Sequence, residues 1–176
     1  MSDEIVTAAQ LFRAHAKWVA SFTLKLGAAR QAVDDLVQEV FLVAHRRGGY
    51  RPGAAKATTW LAEITVRVVS THRRGERRQR VIPDEGALQG AVAVGPTPDR
   101  TAEGRAMLAL VERALDELDI GKRAVFVLYE LMDESCEDIA RGMSIPVGTV
   151  HSRLHAARRE LQAAFARLER EKRGHE

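Results

Sequence analysis

SCEDIARGMSIPVGTVHSRLHAARREL, residues 135–161, decides the architecture. Ser135 followed three residues later by Asp138 fits a capping box: the hydroxyl accepts from the amide three residues on, and Asp138 reaches back. The short helix this opens, expected over 136–142, ends near Arg141-Gly142. Pro146 then lets a second helix begin, because its missing N–H would lack a partner in a first turn anyway. That helix is expected from about Val147 to Arg170. Two helices joined by so short a turn make a helix-turn-helix. At 100° per residue, Val147, Val150, Leu154, Ala157 and Leu161 fall on one buried stripe. The opposite face shows Ser152, His155 and Arg159, flanked by Thr149, His151, Arg153 and Arg158. Small hydroxyls and basic groups at the start of such a helix suit base edges and phosphates in a major groove. An amphipathic helix with a solvated basic face has the same pattern, and periodicity leaves both readings open. His151 and His155 lie one turn apart, but no third ligand is evident nearby, so no metal site and no cofactor are expected.

Upstream, the texture changes over residues 81–104, which hold three of the five prolines (Pro83, Pro96, Pro98) and four glycines. This block reads as a flexible linker between two small helical domains, 1–80 and 105–176. Aromatic residues are only 5 % of the 176, and no strand alternation is present, so the expected fold is all-α. In the first domain Leu11, Phe12, His15, Val19, Phe22 and Leu26 recur at helical spacing up to Gly27. A second helix is expected from Arg30 to Arg47, stopped by Gly48-Gly49, and a third from Ala57 to beyond Arg74. Beyond the linker, helices are expected over 103–118 and 121–131. A single cysteine, Cys136, forms no internal disulfide and reads as a packing residue. The acidic start of the chain and the absence of a long apolar run argue against secretion and membrane insertion, so a cytoplasmic location is expected.

Charge is nearly balanced, 27 Lys and Arg against 24 Asp and Glu, so placement matters more than the sum. In the second helix Val33, Leu36, Val37, Val40, Phe41 and Ala44 cluster on one face, the expected core side. The other face presents Asp35, Gln38, Glu39, Leu42 and Arg46. An apolar Leu42 among acidic and amide groups reads as a contact surface, although single exposed leucines are common. From His72 to Arg80 the sequence HRRGERRQR carries five Arg against one Glu. A helix dipole needs fewer cations than that, so the run reads as a handle for nucleic-acid phosphates. Trp60 is assigned to the core rather than to base stacking. Six scattered histidines and no nucleophile–base constellation argue against an enzyme.

Three segments, DDLVQEVFLVAHRR (34–47), YRPGAAKATTWLAEI (50–64) and the opening stretch, together closely resemble the extracytoplasmic-function (ECF) sigma factors of bacterial RNA polymerase. The last segment is similar to the family's region four pattern ending in GTVKSRL…AR, and the first to the DLVQE helix of region two. The resemblance implies a sigma factor that directs core RNA polymerase to promoters without catalysis of its own. It implies that Asp34, Asp35, Gln38, Glu39 and Leu42 dock on the clamp helices of the β′ subunit, with further contact to β. It implies that Tyr50, Arg51 and Lys56, with Arg67, Arg73 and Arg74 on the next helix, engage and open the −10 element around an unstacked base. Thr149, His151, Ser152, Arg153, His155, Arg158 and Arg159 would read the −35 element as duplex. An anti-sigma factor is a further partner the resemblance implies. The chain departs from the family pattern at Arg67 and Thr71, where Asn and Asp are usual, at Ser144 (Gly) and at His151 (Lys); these changes bear on the promoter sequence. The competing class is a stand-alone helix-turn-helix regulator, which needs only the C-terminal block.

Relaxed, the 24 residues of the linker span about 27 Å, from roughly 5.5 Å times the square root of length. Promoter elements about twenty base pairs apart lie roughly 70 Å apart. The free protein is therefore expected to be compact or variable in domain spacing.

Overall fold

Each helix starts and stops for a local reason. In the computed structural model, which describes residues 4–80 and 102–173, Thr7 caps the first helix reciprocally. Its hydroxyl accepts from the Gln10 amide (3.3 Å) while the Gln10 side chain accepts from the Thr7 amide (2.8 Å). That helix, α1 (Ala8–Lys25), is followed by one 3-10 turn (Arg30–Ala32) and α2 (Val33–Arg46). Gly48 and Gly49 end α2 with φ of +80° and +87°, which L side chains rarely adopt. The chain then turns so closely under the N-terminus that a Cβ on Gly49 would lie 2.6 Å from the Val6 carbonyl. Val6 and Tyr50 exchange two backbone hydrogen bonds there, at 2.8 and 2.9 Å. Helix α3 (Ala57–Arg80) closes the N-terminal half.

The C-terminal half comprises α4 (Ala102–Asp116), α5 (Ile120–Glu130), α6 (Cys136–Met143) and α7 (Val147–Arg173). The fold is all-α, with α6 and α7 forming the helix-turn-helix. Of the expected linker, residues 81–101 lie outside the described residues, and its last three belong to α4. Of the basic run, the side chains of Arg77 and Arg80 also lie outside them. Asp119 caps α5 by accepting from Gly121 and Lys122 (2.9 and 3.1 Å), and Ser135 caps α6 by accepting from Asp138 (3.1 Å). Asp138 does not reach back to the Ser135 amide as the capping box predicts. Its carboxylate accepts instead from the Ser135 hydroxyl (2.9 Å) and from cations described below.

In α2, all six apolar residues expected inside are buried. They pack with Leu11 and Val19 of α1 and Leu61 and Ile64 of α3. A second cluster joins Leu110 and Ala114 of α4 to Ala164 and Leu168 of α7. The largest cluster belongs to neither half alone. Phe22, Leu26, Ala62 and Val69 from the N-terminal half pack with Val125, Leu128, Ile139, Val150 and Leu154 from the C-terminal half. Each such side chain contributes about 1.5–3 kcal/mol when fully removed from water, so the two halves form one body.

One assignment from periodicity is corrected: Val147, expected on the buried stripe, is the first residue of α7 and is 42 % exposed. The Phe12 ring on α1 is 45 % exposed and meets the Phe41 ring edge-on at 5.1 Å.

Helix α6 ends on Ser144 in the left-handed conformation, φ 54° and ψ 44°, with the Ile145 amide donating to the Ala140 carbonyl at 3.0 Å. A side chain there costs about 1–2 kcal/mol, part of which glycine would lose again in unfolded-state entropy. Ser144→Gly is therefore expected to raise stability by roughly 0.5–1 kcal/mol, read as a shifted urea midpoint with unchanged slope.

Candidate nucleic-acid interface

Three surfaces carry the residues singled out in the sequence. The first is the outer face of α2. Asp34, Asp35 and Gln38 are exposed, Glu39 is half-buried and reached by Arg46 at 3.4 Å, and Leu42 is 50 % exposed.

The second surface is the turn between α2 and α3. Tyr50 is fixed there by its hydroxyl, which donates to the Ala55 carbonyl at 2.5 Å, and its ring meets that of Trp60 at 5.6 Å. Together with Arg47, Gly49, Arg51 and Ala55 these rings line an open hollow of about 340 Å³. Trp60, assigned to the core from sequence, packs against the N-terminal cluster with part of its ring and lines this hollow with the rest. Glu63 sits behind it and holds two cations, Arg47 at 2.6 Å and Arg67 at 2.5 Å. Aromatic walls with guanidinium groups at the rim suit an unstacked base and its phosphates. Arg51 is exposed at this rim.

Lys56, at the end of the same turn, faces the other half of the molecule. Its ammonium donates to Asp138 at 2.8 Å and to Glu134 at 3.1 Å, and Thr58 donates to the other Glu134 oxygen at 2.8 Å. Asp138 and Glu134 raise the pKa of Lys56. The Asp138 carboxyl is held down at about 2, first by Lys56, then by Arg141 and the Ser135 hydroxyl. On α3, Arg73 donates to the Leu26 carbonyl (3.3 Å) and exposed Arg74 to the Thr71 hydroxyl (3.4 Å).

The third surface is the start of α7. His151, Ser152, His155 and Arg159 are exposed, while Thr149 and Arg153 are half-buried. The Ser152 hydroxyl donates to the Thr149 carbonyl at 3.0 Å. Arg158 is tied down more than its neighbours: it pairs with Glu130 at 2.6 Å and lies over the Tyr129 ring, 5.5 Å from its centre. Among the described residues no three His, Cys, Asp or Glu side chains gather as a metal site, and no helix is long and apolar enough to cross a membrane.

Sequence reasoning missed Glu134 and Arg123, both buried and both at the junction of the halves. The Arg123 guanidinium donates to the Lys25 carbonyl at the end of α1 (2.6 Å) and to Asp116 (2.5 Å). Burial lowers its pKa, with Asp116 opposing. The end of a helix is a favourable place for a cation, but nothing local in the sequence marks a partner 98 residues away.

Residues 11–79 match the family described as Sigma-70 region 2, and residues 108–161 match Sigma-70, region 4. The chain is 30 % identical to the ECF RNA polymerase sigma factor SigE of Mycolicibacterium smegmatis, over 90 % of its own length and 61 % of that protein's. It is 32 % identical to the ECF RNA polymerase sigma factor SigM of Mycobacterium tuberculosis (86 % and 74 %). With the ECF RNA polymerase sigma-E factor of Escherichia coli it shares 31 % (72 % and 70 %). Among solved structures, the fold is similar to RpoE in complex with the anti-sigma factor NepR from Bartonella quintana, with a TM-score of 0.67, 23 % identity and coverage of 90 % and 96 %. It is also similar to CnrH in complex with the cytosolic domain of CnrY, with a TM-score of 0.60, 24 % identity and coverage of 89 % and 85 %.

The Asp138 carboxyl yields a test of the contact with Lys56. Since its folded pKa lies below that of the unfolded chain, the stabilisation it adds is complete above about pH 4 and is lost as pH falls toward 2. A carbon-detected NMR titration of the carboxyl should give a midpoint near 2, and Lys56→Ala should move it up toward the ordinary value. An unmoved midpoint in that variant would remove the Lys56 contact.

Proposed function

The chain belongs to the ECF sigma factors, an RNA polymerase sigma factor with sigma-70 regions 2 and 4 that initiates transcription and is not an enzyme, and from that premise we propose how its surfaces divide the work. The outer face of α2, with Asp34, Asp35, Gln38, Glu39 and Leu42, docks on the β′ clamp helices of core polymerase, and β is contacted elsewhere. The Leu42 side chain, 50 % exposed opposite a fully packed helix face, is the observation that carries this assignment. The Tyr50–Trp60 hollow with Arg47 and Arg51 around it, together with Lys56 at the end of the turn and Arg67, Arg73 and Arg74 along α3, takes the opened −10 strand. Thr149, His151, Ser152, Arg153, His155, Arg158 and Arg159 present α7 to the −35 duplex.

A stand-alone helix-turn-helix regulator would use α4 to α7 only and would leave the region 2 match without a role. The solved neighbours are bound to the anti-sigma factor NepR and to the cytosolic domain of CnrY, and this chain takes a partner of the anti-sigma kind. It acts in the cytoplasm, where core polymerase works.

Replacing Asp35 and Gln38 with Arg is expected to weaken core binding at least ten-fold, and run-off transcription with it, while circular dichroism stays unchanged. Unaltered affinity in a titration against core polymerase would remove the α2 assignment. On α7, Arg159→Ala should cost about 1–3 kcal/mol on a cognate −35 duplex and relax selectivity, as loss of a base contact does. Arg158→Ala should weaken cognate and scrambled duplexes alike and reduce the salt slope by about one. The reverse pattern, in titrations at several salt concentrations, would mean the helix is rotated in the groove.

A further inference from the structure

We propose that the cleft between α3 and the start of α5 is a binding site for a phosphate group, carried by a small phosphoanion of pyrophosphate size or by a nucleic-acid backbone, with Ser70, Arg73 and Arg74 holding it. The site stands on the cleft itself and does not depend on α3 taking the −10 strand. Residues 70, 73 and 74 are three and four apart, so one face of α3 carries all three side chains. Opposite them lie Leu118, Asp119 and Ile120, and the space between the two elements is about 180 Å³. At roughly 30 Å³ per water molecule this holds about six. That suits a phosphoryl or pyrophosphoryl group and is too little for a drug-sized ligand, which needs about 300 Å³ or more.

Charge in the cleft is unbalanced toward the cations. Arg73 is half-buried and donates to the Leu26 carbonyl at 3.3 Å, while Arg74 donates to the Thr71 hydroxyl at 3.4 Å. Among the described residues neither holds a carboxylate, whereas Arg47, Arg67, Arg123 and Arg158 each do. Both guanidinium groups keep further N–H donors for an acceptor in the cleft, and no internal ion pair has to break for them to be used. Asp119 is the one carboxylate in the lining, and it is already committed. It accepts from the Gly121 and Lys122 amides at 2.9 and 3.1 Å and from the Lys122 ammonium at 3.2 Å. Arg73 also stands near a third guanidinium: burial lowers the pKa of Arg123, Asp116 opposes, and the charge of Arg73 lowers it further. Two forked cations and a hydroxyl match the several acceptor oxygens of a phosphate, where a carboxylate with two oxygens would leave donors unused.

Calorimetric titration of the full chain with inorganic pyrophosphate, without polymerase and at low, matched ionic strength, tests the site. One pyrophosphate should bind per chain. Arg74→Gln, at an exposed position, should weaken it by roughly ten-fold, as loss of one charge-assisted contact does, and Ser70→Ala should weaken it by less. Arg78→Gln, also exposed on α3 but outside the cleft, should leave the affinity unchanged, with circular dichroism showing intact helices in all three variants. Citrate, an anion of comparable charge built from carboxylates, should bind at least ten-fold more weakly than pyrophosphate. Equal weakening by Arg74→Gln and Arg78→Gln, or a titration that does not saturate, would overturn the site in favour of diffuse attraction to the basic end of α3. Citrate binding as tightly as pyrophosphate would overturn the phosphate class. A short fluorescein-labelled oligothymidylate separates the two sources. Its displacement by pyrophosphate would assign the site to a backbone phosphate as well, and an oligonucleotide affinity unmoved by pyrophosphate would assign it to the free phosphoanion.

Discussion

Burial of α3 on two sides is the constraint the other elements answer to. One side, through Leu61 and Ile64, completes the packing of α1 and α2; the other, through Ala62 and Val69, enters the cluster built with α5, α6 and α7. A helix buried twice over has little surface left for polar residues, and those it keeps are confined to its ends and one narrow strip. The −10 residues proposed here lie there: Lys56 and Trp60 at the start of α3, Arg67 on the strip, Arg73 and Arg74 further along. Region 4 packs over the neighbouring face, so the position of the helix-turn-helix and the availability of the −10 residues follow from the same contact.

Four cations of the interface already hold carboxylates of the chain itself. Arg47 and Arg67 share Glu63, Lys56 holds Glu134 and Asp138, and Arg158 holds Glu130. This bears on a net charge of only +3 alongside a nucleic-acid function, because each of these four cations can exchange an internal carboxylate for a phosphate. The exchange is cheap where the pair is exposed, since exposed ion pairs contribute about 0–1 kcal/mol. At the junction it is costlier, because Glu134 is only 8 % exposed and cannot be left facing apolar neighbours once Lys56 departs.

Local rules carried the sequence reading as far as local physics reaches. The six apolar positions of α2, the glycine stop after it and the Ser135 cap follow from periodicity and capping within a few residues, and the structure has them. The same rules misplace Val147, because a periodic stripe says which side of a helix is apolar but not where along it packing begins. Trp60 packs against the core as expected; what the sequence does not show is that the rest of its ring lines a hollow. Glu134, Arg123 and the carboxylate of Asp138 were illegible because their partners, Lys56 and Lys25, lie 78 to 98 residues away in sequence. Of the −10 and −35 residues, the sequence shows type and face, while their intramolecular partners appear only in three dimensions.

The polarity of the junction indicates which contact can part. Away from the junction, the buried polar side chains among the described residues are uncharged, Thr23 on α1 and Thr65 on α3. The charged side chains that are buried among the described residues, Arg123 and Glu134, both lie where the halves meet, and buried Thr59 lies there too. Separating an all-apolar contact returns only hydrocarbon to water, at about 25 cal/mol per Å². Here, separation also restores hydration to a guanidinium and a carboxylate, each of which lost several kcal/mol of solvation on burial. That recovery offsets part of the apolar cost at this junction and nowhere else in the described fold. Interfaces between domains of one chain are more polar than obligate ones, and the junction of α3 with α5 and α6 has that character, with Arg123, Glu134 and Thr59 buried beside its apolar cluster.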